Sequence, residues 1–416
     1  MRLGKINRYY NGVMKGRTTI CCSAVALTAA LVASIQGQTA PPQGQPVPPV
    51  QVPAPPQPQP TSPLPPKPPA PPPFRVTATV PLDGNLAAAP AFSDARGFFP
   101  MDDGHLVARD LIDGRELWNV EARLSLTPAA SNDMIFAIES ASLVARRQDD
   151  GTIAWKSAFA ESRTPLVWDN SWLIATLTAG TVVAIRASDG HEIWRDEVGA
   201  EVRGRPALAA DRVYVATADD RIIALQVETG DHLWERRLGG PPNEMLALDD
   251  RIYVGSDDNF LYCLKARDGE IDWRWRTGGD VLGVPLVDES RVYFVSLDNL
   301  LRALDRRSGA QRWKRPLPLR PTVGPARTQD LLIVSGVTPS VRLYQMRDGA
   351  PAGEVATDGD LASAPYVIPK VDPPTFVVVA RNVAKGEMLT LISRVSPPAP
   401  TEATPTQEPP PVGGIK

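Results

Sequence analysis

The chain has 416 residues, with 44 lysines and arginines against 47 aspartates and glutamates, which gives a formal net charge of −3 at pH 7. It has no basic stretch interleaved with aromatic residues, so the composition does not favour a nucleic-acid-binding protein. Three cysteines in a chain of this length exclude a fold that depends on a disulfide framework.

Residues 1–37 have the pattern of an export signal. An uncharged apolar run over residues 18–35 is preceded by five basic residues and no acidic one: Arg2, Lys5, Arg8, Lys15 and Arg17. This order is typical of a secretory signal peptide, and cleavage after Ser34 or Gly37 fits it. The alternative is an uncleaved anchor, because an apolar run of this length is at the short limit of a membrane span. In both cases we expect the rest of the chain to be exported.

The cysteine positions bear on the leader and on the exported part. Cys21 and Cys22 precede most of the apolar run, whereas the acylated cysteine of a lipoprotein follows it, so we expect neither to carry lipid. If the leader is removed, Cys263 remains as the only thiol. The exported protein would then form no internal disulfide, even in an oxidising compartment.

Two proline-dominated segments flank the central part of the chain. Residues 38–73 are predicted to be a disordered linker and residues 397–416 a disordered tail, because proline lacks an N–H and fixes φ. At about 3.1 Å per residue in polyproline II, the segment from Pro41 to Pro73 would span about 100 Å. That length suits a semi-rigid spacer, and a disordered leader without a partner is the alternative. With the five basic leader residues set aside, 39 basic residues face 47 acidic ones, a net charge of −8.

Between these segments one motif recurs about every forty residues. An apolar strand leads to a turn ending in glycine, and a tryptophan follows four residues later. The turn glycines are Gly114, Gly151, Gly190, Gly230, Gly269, Gly309 and Gly349, and the tryptophans are Trp118, Trp155, Trp194, Trp234, Trp273 and Trp313. After Gly349 the tryptophan position holds Gly353. A fixed period near forty with several short strands per unit is typical of a β-propeller.

Each unit is predicted to form four antiparallel strands. A proline-containing strand begins it, a strand rich in β-branched and aromatic residues follows, the third strand ends at the glycine turn, and the tryptophan begins the fourth. Eight such units predict an all-β fold, an eight-bladed propeller over residues 74–396. The last unit lacks a fourth strand, and residues 74–80 form a lone strand before the first. We therefore expect these two segments to pair and close the ring.

The turn and the tryptophan have separate roles. Asp-Gly or Thr-Gly supplies the positive φ of a tight turn, and the indole is expected to seal the gap between adjacent blades. Loss of one buried tryptophan should cost about 3–5 kcal/mol. Trp168, Trp172 and Trp275 lie outside this pattern. Six residues before each turn glycine lies a position that is small in all but the last unit: Ala108, Ala145, Ala184, Ala224, Cys263, Ala303 and Leu343. Cys263 is therefore expected to be a packed, inert thiol.

These units resemble the PQQ-like repeat, of which residues 304–313 are a fair example, and the resemblance covers residues 74 to about 395. Two branches with eight blades are similar: the quinone-dependent alcohol dehydrogenases, and the BamB-type proteins, which are non-enzymatic periplasmic scaffolds of outer-membrane protein assembly. The resemblance implies the fold, whereas the function depends on the sites that this chain carries.

The dehydrogenase branch implies an adjacent cysteine pair over the quinone, acidic and amide ligands for Ca²⁺, and a catalytic aspartate. The only adjacent pair here, Cys21-Cys22, lies in the leader. Acidic and amide residues recur before the third strand, and we interpret them as hairpin residues rather than calcium ligands: Asp219-Asp220, Asp257-Asp258-Asn259 and Asp298-Asn299. The histidines occur in different units: His105, His191 and His232. We assign no catalytic, cofactor-binding or metal-binding residue.

The binding hypothesis fits the sequence better. A ring with loops on both faces can hold extended segments of a partner. We expect a monomeric, non-catalytic scaffold of the periplasm or cell envelope that binds envelope proteins, with a BamB-like role in outer-membrane protein assembly. It would contact the membrane only through an uncleaved leader. The alternative is a quinone-binding periplasmic protein of the dehydrogenase type.

Overall fold

The computed structural model describes residues 74–159 and 162–395, so the predicted leader, the linker and the tail from residue 397 lie outside the described residues. The described chain is built of β-strands, apart from one 3₁₀ turn at Thr178–Gly180. The strands form eight antiparallel sheets around a closed ring, which confirms the predicted eight-bladed propeller. No helix in the described ranges is long and apolar enough to span a membrane.

Strand β1 (Phe74–Pro81) belongs to the last blade, and the chain then forms the other seven blades in order. Blade 1 contains β2 (Ala91–Ser93), β3 (Arg96–Pro100), β4 (His105–Asp110) and β5 (Glu116–Glu121). Blade 2 contains β6 (Ala129–Ala130), β7 (Met134–Glu139), β8 (Ser142–Arg147) and β9 (Ile153–Ala158). Blade 3 contains β10 (Val167–Asp169), β11 (Trp172–Thr176), β12 (Thr181–Arg186) and β13 (Glu192–Glu197).

The second half of the ring repeats this arrangement. Blade 4 contains β14 (Val202–Ala209), β15 (Arg212–Thr217), β16 (Arg221–Gln226) and β17 (His232–Arg237). Blade 5 contains β18 (Pro242–Leu248), β19 (Arg251–Ser256), β20 (Phe260–Lys265) and β21 (Ile271–Arg276). Blade 6 contains β22 (Val281–Val287), β23 (Arg291–Ser296), β24 (Leu300–Asp305) and β25 (Gln311–Pro316). Blade 7 contains β26 (Ala326–Thr328), β27 (Leu331–Val334), β28 (Ser340–Gln345) and β29 (Pro351–Ala356).

Blade 8 joins the two ends of the described chain. It contains β30 (Asp360–Leu361), β31 (Tyr366–Val367), β32 (Thr375–Asn382), β33 (Gly386–Arg394) and, as its outer strand, β1. The pairing of β1 with β33 runs from Phe74 opposite Arg394 to Pro81 opposite Met388, so the predicted closure is confirmed. The buried Glu387 carboxylate reinforces it, because it accepts a hydrogen bond from the Leu86 backbone N–H at 3.1 Å.

The first strand of each blade is less regular than predicted. First strands of neighbouring blades lie side by side around the central channel, and several are only two or three residues long. Pro206 and Pro285 lie within β14 and β22, where the pairing register slips. Pro128 and Pro165 lie just before the short β6 and β10. Proline cannot donate to the ladder, so these residues interrupt a strand that has no partner on its inner side.

The core lies between the blades. The second and third strands are buried on both faces, and for this reason they are continuous apolar runs, such as Ile222–Leu225 in β16. Each cluster of buried side chains combines two neighbouring blades, as where Trp194 of blade 3 packs with Val213 and Ile223 of blade 4. Burial between blades, rather than within them, holds the ring together.

Antiparallel strands place the loops on two opposite faces. The turns that join strand 1 to strand 2 and strand 3 to strand 4 share one face, which we call the glycine-turn face. The turns that join strand 2 to strand 3, with the connections between blades, share the other, which we call the hairpin face. Because β33 is a third strand and β1 a fourth strand, Arg394 and Phe74 both lie on the glycine-turn face.

Candidate functional site

Each of the six repeat tryptophans joins its blade to the next. Trp194 is 9% exposed, and its indole N–H donates to the backbone oxygen of Val227 in blade 4 at 2.7 Å. Each indole bonds the carbonyl three residues before the next turn glycine. The other five bonds are Trp118 to Gln148 at 2.9 Å, Trp155 to Ala187 at 3.1 Å, Trp234 to Ala266 at 2.9 Å, Trp273 to Arg306 at 3.1 Å and Trp313 to Met346 at 3.1 Å.

The turn glycines are required for two reasons. All seven have a φ between +68° and +80°, where other residues are strained. Six also lie against the preceding blade's indole: a Cβ at Gly190 would come within 2.4 Å of Trp155, and one at Gly230 within 2.8 Å of Trp194. The seventh, Gly114, lies instead against Val80 of β1. The glycine is therefore needed both for the tight turn and for the contact of the next blade with the indole, which we call the joint.

The small position before each turn is explained by strand pairing. Ala184 lies directly opposite Trp194 across β12 and β13, and Cys263 lies opposite Trp273. In blade 7 the sizes are reversed: the large residue of the pair, Leu343, lies on the third strand, and the small one, Gly353, lies opposite it on the fourth. Cys263 is fully buried, and this burial raises the pKa of its thiol to about 12.

The contact between blades 7 and 8 depends on residues that the sequence pattern did not identify. The break between β33 and β1 replaces a glycine turn, so blade 7 has no turn glycine to cover and carries Gly353 in place of a tryptophan. Phe74 fills this region from the other side, 5% exposed and packed with Val355 and Leu343. Its ring lies 5.4 Å from that of Phe376.

The acidic residues among the candidate calcium ligands already have partners in this chain. Asp298 accepts hydrogen bonds from Arg302, from the Ser296 hydroxyl at 2.6 Å and from the Gly278 N–H at 3.0 Å. Burial alone would raise the pKa of Asp298, but these bonds outweigh it and lower the pKa to about 2. The other acidic side chains also have partners: Asp219 pairs with Arg221, Asp220 with Arg237, Asp257 with Arg203 of blade 4 and Asp258 with the Tyr262 hydroxyl. Asp220, Asn259 and Asn299 have the positive φ of the hairpin turn.

The histidines lie apart from one another. His232 contacts Asp196 of blade 3 at 2.7 Å, and His105 contacts Asp103 at 3.1 Å, each near the surface. His191 follows the turn glycine of blade 3 and is exposed. Within residues 74–159 and 162–395, no group of three or more histidines, cysteines and acids is arranged to hold a metal ion.

The central channel forms a cavity of about 830 Å³. It is lined by the first strands, with Arg205 and Glu244 in neighbouring blades. Desolvation lowers the pKa of the Arg205 guanidinium, and the Glu244 carboxylate opposes this effect. Arg163, also in the channel lining, is paired with Glu201. Between blades 6 and 7 the backbones of Gly283 and Gly324 are in close contact, so the channel lining is asymmetric.

Three further cavities lie between blades on the glycine-turn face. The groove between blades 2 and 3 has a volume of about 580 Å³, that between blades 4 and 5 about 430 Å³, and that between blades 6 and 7 about 470 Å³. The sequence predicted loops on both faces but gave no indication of these grooves. Each contains the start of a second strand and the carbonyl that the indole bonds.

Comparisons with known proteins agree with this geometry. The family model described as outer membrane protein assembly factor BamB matches residues 75–163, 139–249 and 245–363, which is more than half of the chain. The chain belongs to the BamB family. It is 27% identical over 249 residues to outer membrane protein assembly factor BamB of Yersinia pestis, covering 55% of this chain and 56% of that protein.

The chain is also similar to a second BamB protein, to an alcohol dehydrogenase and to a solved BamB structure. BamB of Nitrosomonas eutropha is 24% identical, covering 54% of this chain and 50% of that protein. Quinohemoprotein alcohol dehydrogenase ADH IIB of Pseudomonas putida is 33% identical over 104 residues, 21% of this chain and 15% of that protein. The chain thus spans about half the length of the BamB relatives it matches. The crystal structure of BamB from Moraxella catarrhalis superposes with a TM-score of 0.62 at 18% identity, covering 77% of this chain and 99% of that one, and so shows the shared fold.

Proposed function

We propose that this protein is a non-catalytic, protein-binding scaffold of the cell envelope with a BamB-like role in outer-membrane protein assembly. The observation that carries the proposal is the match of the BamB family model across residues 75–363. The geometry supports it, because the acidic side chains that could serve chemistry already have hydrogen-bond or ion-pair partners, while grooves and exposed strand edges remain open.

The outer strands offer a specific mode of binding. Each blade presents its fourth strand to the outside, and these edges carry exposed apolar side chains such as Ile153 at 50%, Leu233 at 40% and Ile271 at 37%. An extended segment of a partner can pair with such an edge through main-chain hydrogen bonds and place alternate side chains against the apolar ones. An outer-membrane protein not yet folded into its barrel has segments of this kind.

Site-specific photo-cross-linking in living cells tests the proposal. Suitable positions are Ile112 on the glycine-turn face, Val383 on the hairpin face and Ile153 on an outer strand, which are 53%, 105% and 50% exposed. We expect adducts with envelope proteins from at least one position. A buried control position, Val183, should give none. Absence of envelope adducts above background at all three exposed positions would contradict the proposal.

A quinone-binding function is the second candidate, favoured by the similarity to a quinohemoprotein alcohol dehydrogenase and by the size of the channel. The residues present do not fit a calcium-bound quinone. The described ranges contain one cysteine, the buried Cys263, and the acidic hairpin residues already have partners. Purified protein with added quinone and Ca²⁺ should therefore show no bound-cofactor absorbance and no alcohol-dependent dye reduction. Either signal would favour the second candidate.

A further inference from the structure

The groove between blades 2 and 3, which we call the aromatic groove, differs in chemistry from its counterparts. Its walls include Met134 and Phe136 of blade 2 and Trp168, Trp172 and Ile193 of blade 3. Trp168 and Trp172 are two of the three tryptophans outside the repeat pattern, and both are half-buried. Trp168 packs against the buried cluster between blades 2 and 3, and Trp172 packs against that between blades 3 and 4, but neither makes the indole hydrogen bond of the repeat tryptophans.

The equivalent grooves show what is missing here. Between blades 4 and 5, Arg212 donates across the groove to the Ala266 carbonyl at 2.5 Å, and between blades 6 and 7, Arg291 donates to the Met346 carbonyl at 2.8 Å. The residue at the same register in blade 2 is Met134, which leaves the corresponding carbonyl of Ala187 without this bridge. The aromatic groove therefore lacks the arginine bridge and exposes mainly apolar surface, although Asp133 and Arg186 also line it.

The opposite wall has changed as well. Trp172 pairs with the residue four before its turn glycine, and the residue at this register in blade 5 is Arg251. The indole N–H groups of Trp168 and Trp172 have no acceptor among the described residues, whereas all six repeat tryptophans use theirs. Flat aromatic walls with a free indole donor are the means by which grooves recognise polyproline II segments.

The aromatic surface continues towards blade 8. Trp168 also lines a second cavity of about 250 Å³ at the channel mouth, together with Phe92 and Tyr366. The rings of Phe92 and Tyr366 stack at 4.6 Å with 13° between their planes, and the Tyr366 hydroxyl donates to the Asp94 carbonyl at 3.1 Å. This path leads from the aromatic groove across the glycine-turn face to the blade in which β33 ends at Arg394.

We propose that the aromatic groove binds proline-rich extended segments and that residues 397–416 of this chain occupy it. This segment follows β33 directly, leaves the ring on the same face as the groove, and contains seven prolines in twenty residues, including Pro409-Pro410-Pro411. In an extended polyproline II form, at about 3.1 Å per residue, it would reach about 60 Å. Proline-rich sequence loses little entropy on binding, because its φ is already fixed.

Hydrogen–deuterium exchange on the full chain tests this proposal. The experiment measures the exchange rates of the backbone amides of residues 169–171 and 186–188, which line the groove. The variant Pro409→Ser/Pro410→Ser/Pro411→Ser removes the proposed ligand, and Met134→Arg restores the residue type found in blades 4 and 6. With an effective concentration of about 1 mM and a Kd of about 0.1 mM, the native tail should slow exchange about tenfold relative to either variant.

Matched controls separate binding from folding. Trp275→Arg changes the third tryptophan outside the repeat, which lies away from the groove, and should leave the protection intact. A synthetic peptide of residues 397–416 should restore protection to the proline variant but not to Met134→Arg. Equal exchange in the native chain and the proline variant would overturn the proposal. Protection that rises with protein concentration would also overturn it, since the tail would then come from a second copy.

Discussion

The joint between a repeat tryptophan and the next turn glycine can be tested with one pair of residues. Gly230→Ala places a Cβ 2.8 Å from the Trp194 ring and puts an alanine at a φ of +80°. Gly199→Ala provides a matched control, because its φ is +77° but its nearest contact would be Arg221 at 3.8 Å. The two substitutions share the backbone strain, and only the first disturbs an indole.

The magnitudes follow from these contacts. An alanine in the left-handed region costs about 1–2 kcal/mol, which is the whole effect expected for Gly199→Ala. Overpacking against the ring adds about 1–3 kcal/mol at Gly230. Trp194→Ala alone should cost about 3–5 kcal/mol through lost burial and the lost bond to Val227. In that background Gly230→Ala should cost only the strain, so the two changes should couple by about 1–3 kcal/mol.

Urea unfolding monitored by circular dichroism measures the free energy of unfolding of Gly230→Ala, Trp194→Ala, the double variant, the wild type and the control Gly199→Ala. A coupling near zero would refute the joint as described, as would a Gly230→Ala cost no larger than that of Gly199→Ala. If the slope against urea differs between variants, unfolding is not two-state or the unfolded states differ in compactness. In that case the unfolding rate replaces the equilibrium value.

Three further predictions rest on single groups. Phe74→Ala should lower the free energy of unfolding by about 3–5 kcal/mol, and Val76→Ala, 42% exposed on the same strand, by much less in the same urea assay. In a chain with the leader cysteines replaced by serine, Cys263 should resist a thiol reagent at pH 8 and react once urea is added, since burial raises its pKa to about 12. The pKa of Asp298 is lowered from 3.8 to about 2, so the ionised carboxylate should stabilise the fold by about 2 kcal/mol above pH 4. This stabilisation should be lost as the pH falls towards 2. Asp298→Asn should remove that part of the dependence of the free energy of unfolding on acid pH.

Much of the fold could be predicted because the repeat makes the same contact six times. One blade gives the rule: a glycine at positive φ, an indole over it from the preceding blade, and a small residue opposite that indole. Blade number and closure followed from counting the units. The proline-containing first strands were predicted as regular because their sequences have strand composition, but a ladder needs N–H donors that proline lacks, as the slip around Pro206 shows.

The candidate binding surface could be predicted only in part. Trp168 and Trp172 could be identified as exceptions to the repeat, but their positions alone did not indicate which neighbour they face. A usable signal does exist in the register. Once the strands are aligned on the turn glycine, Trp172 lies where blades 4, 5 and 6 have arginine. Such a departure indicates a surface position whose residue type the repeat does not determine.

The missing tryptophan of blade 7 gives the strictest test of the joint as a physical rule rather than a sequence pattern. Gly353→Trp would restore the repeat, yet blade 8 has no turn glycine for an indole to cover, Leu343 already fills the opposite position, and Gly353 has a φ of +147°. We therefore expect the variant to lower the thermal midpoint, with about 1–3 kcal/mol lost to backbone strain alone. Adding Leu343→Ala should relieve the crowding opposite but not the strain, so the double variant should still melt below the wild type. A midpoint above that of the wild type would mean that the tryptophan stabilises its own blade, and that the contact with the next blade is incidental.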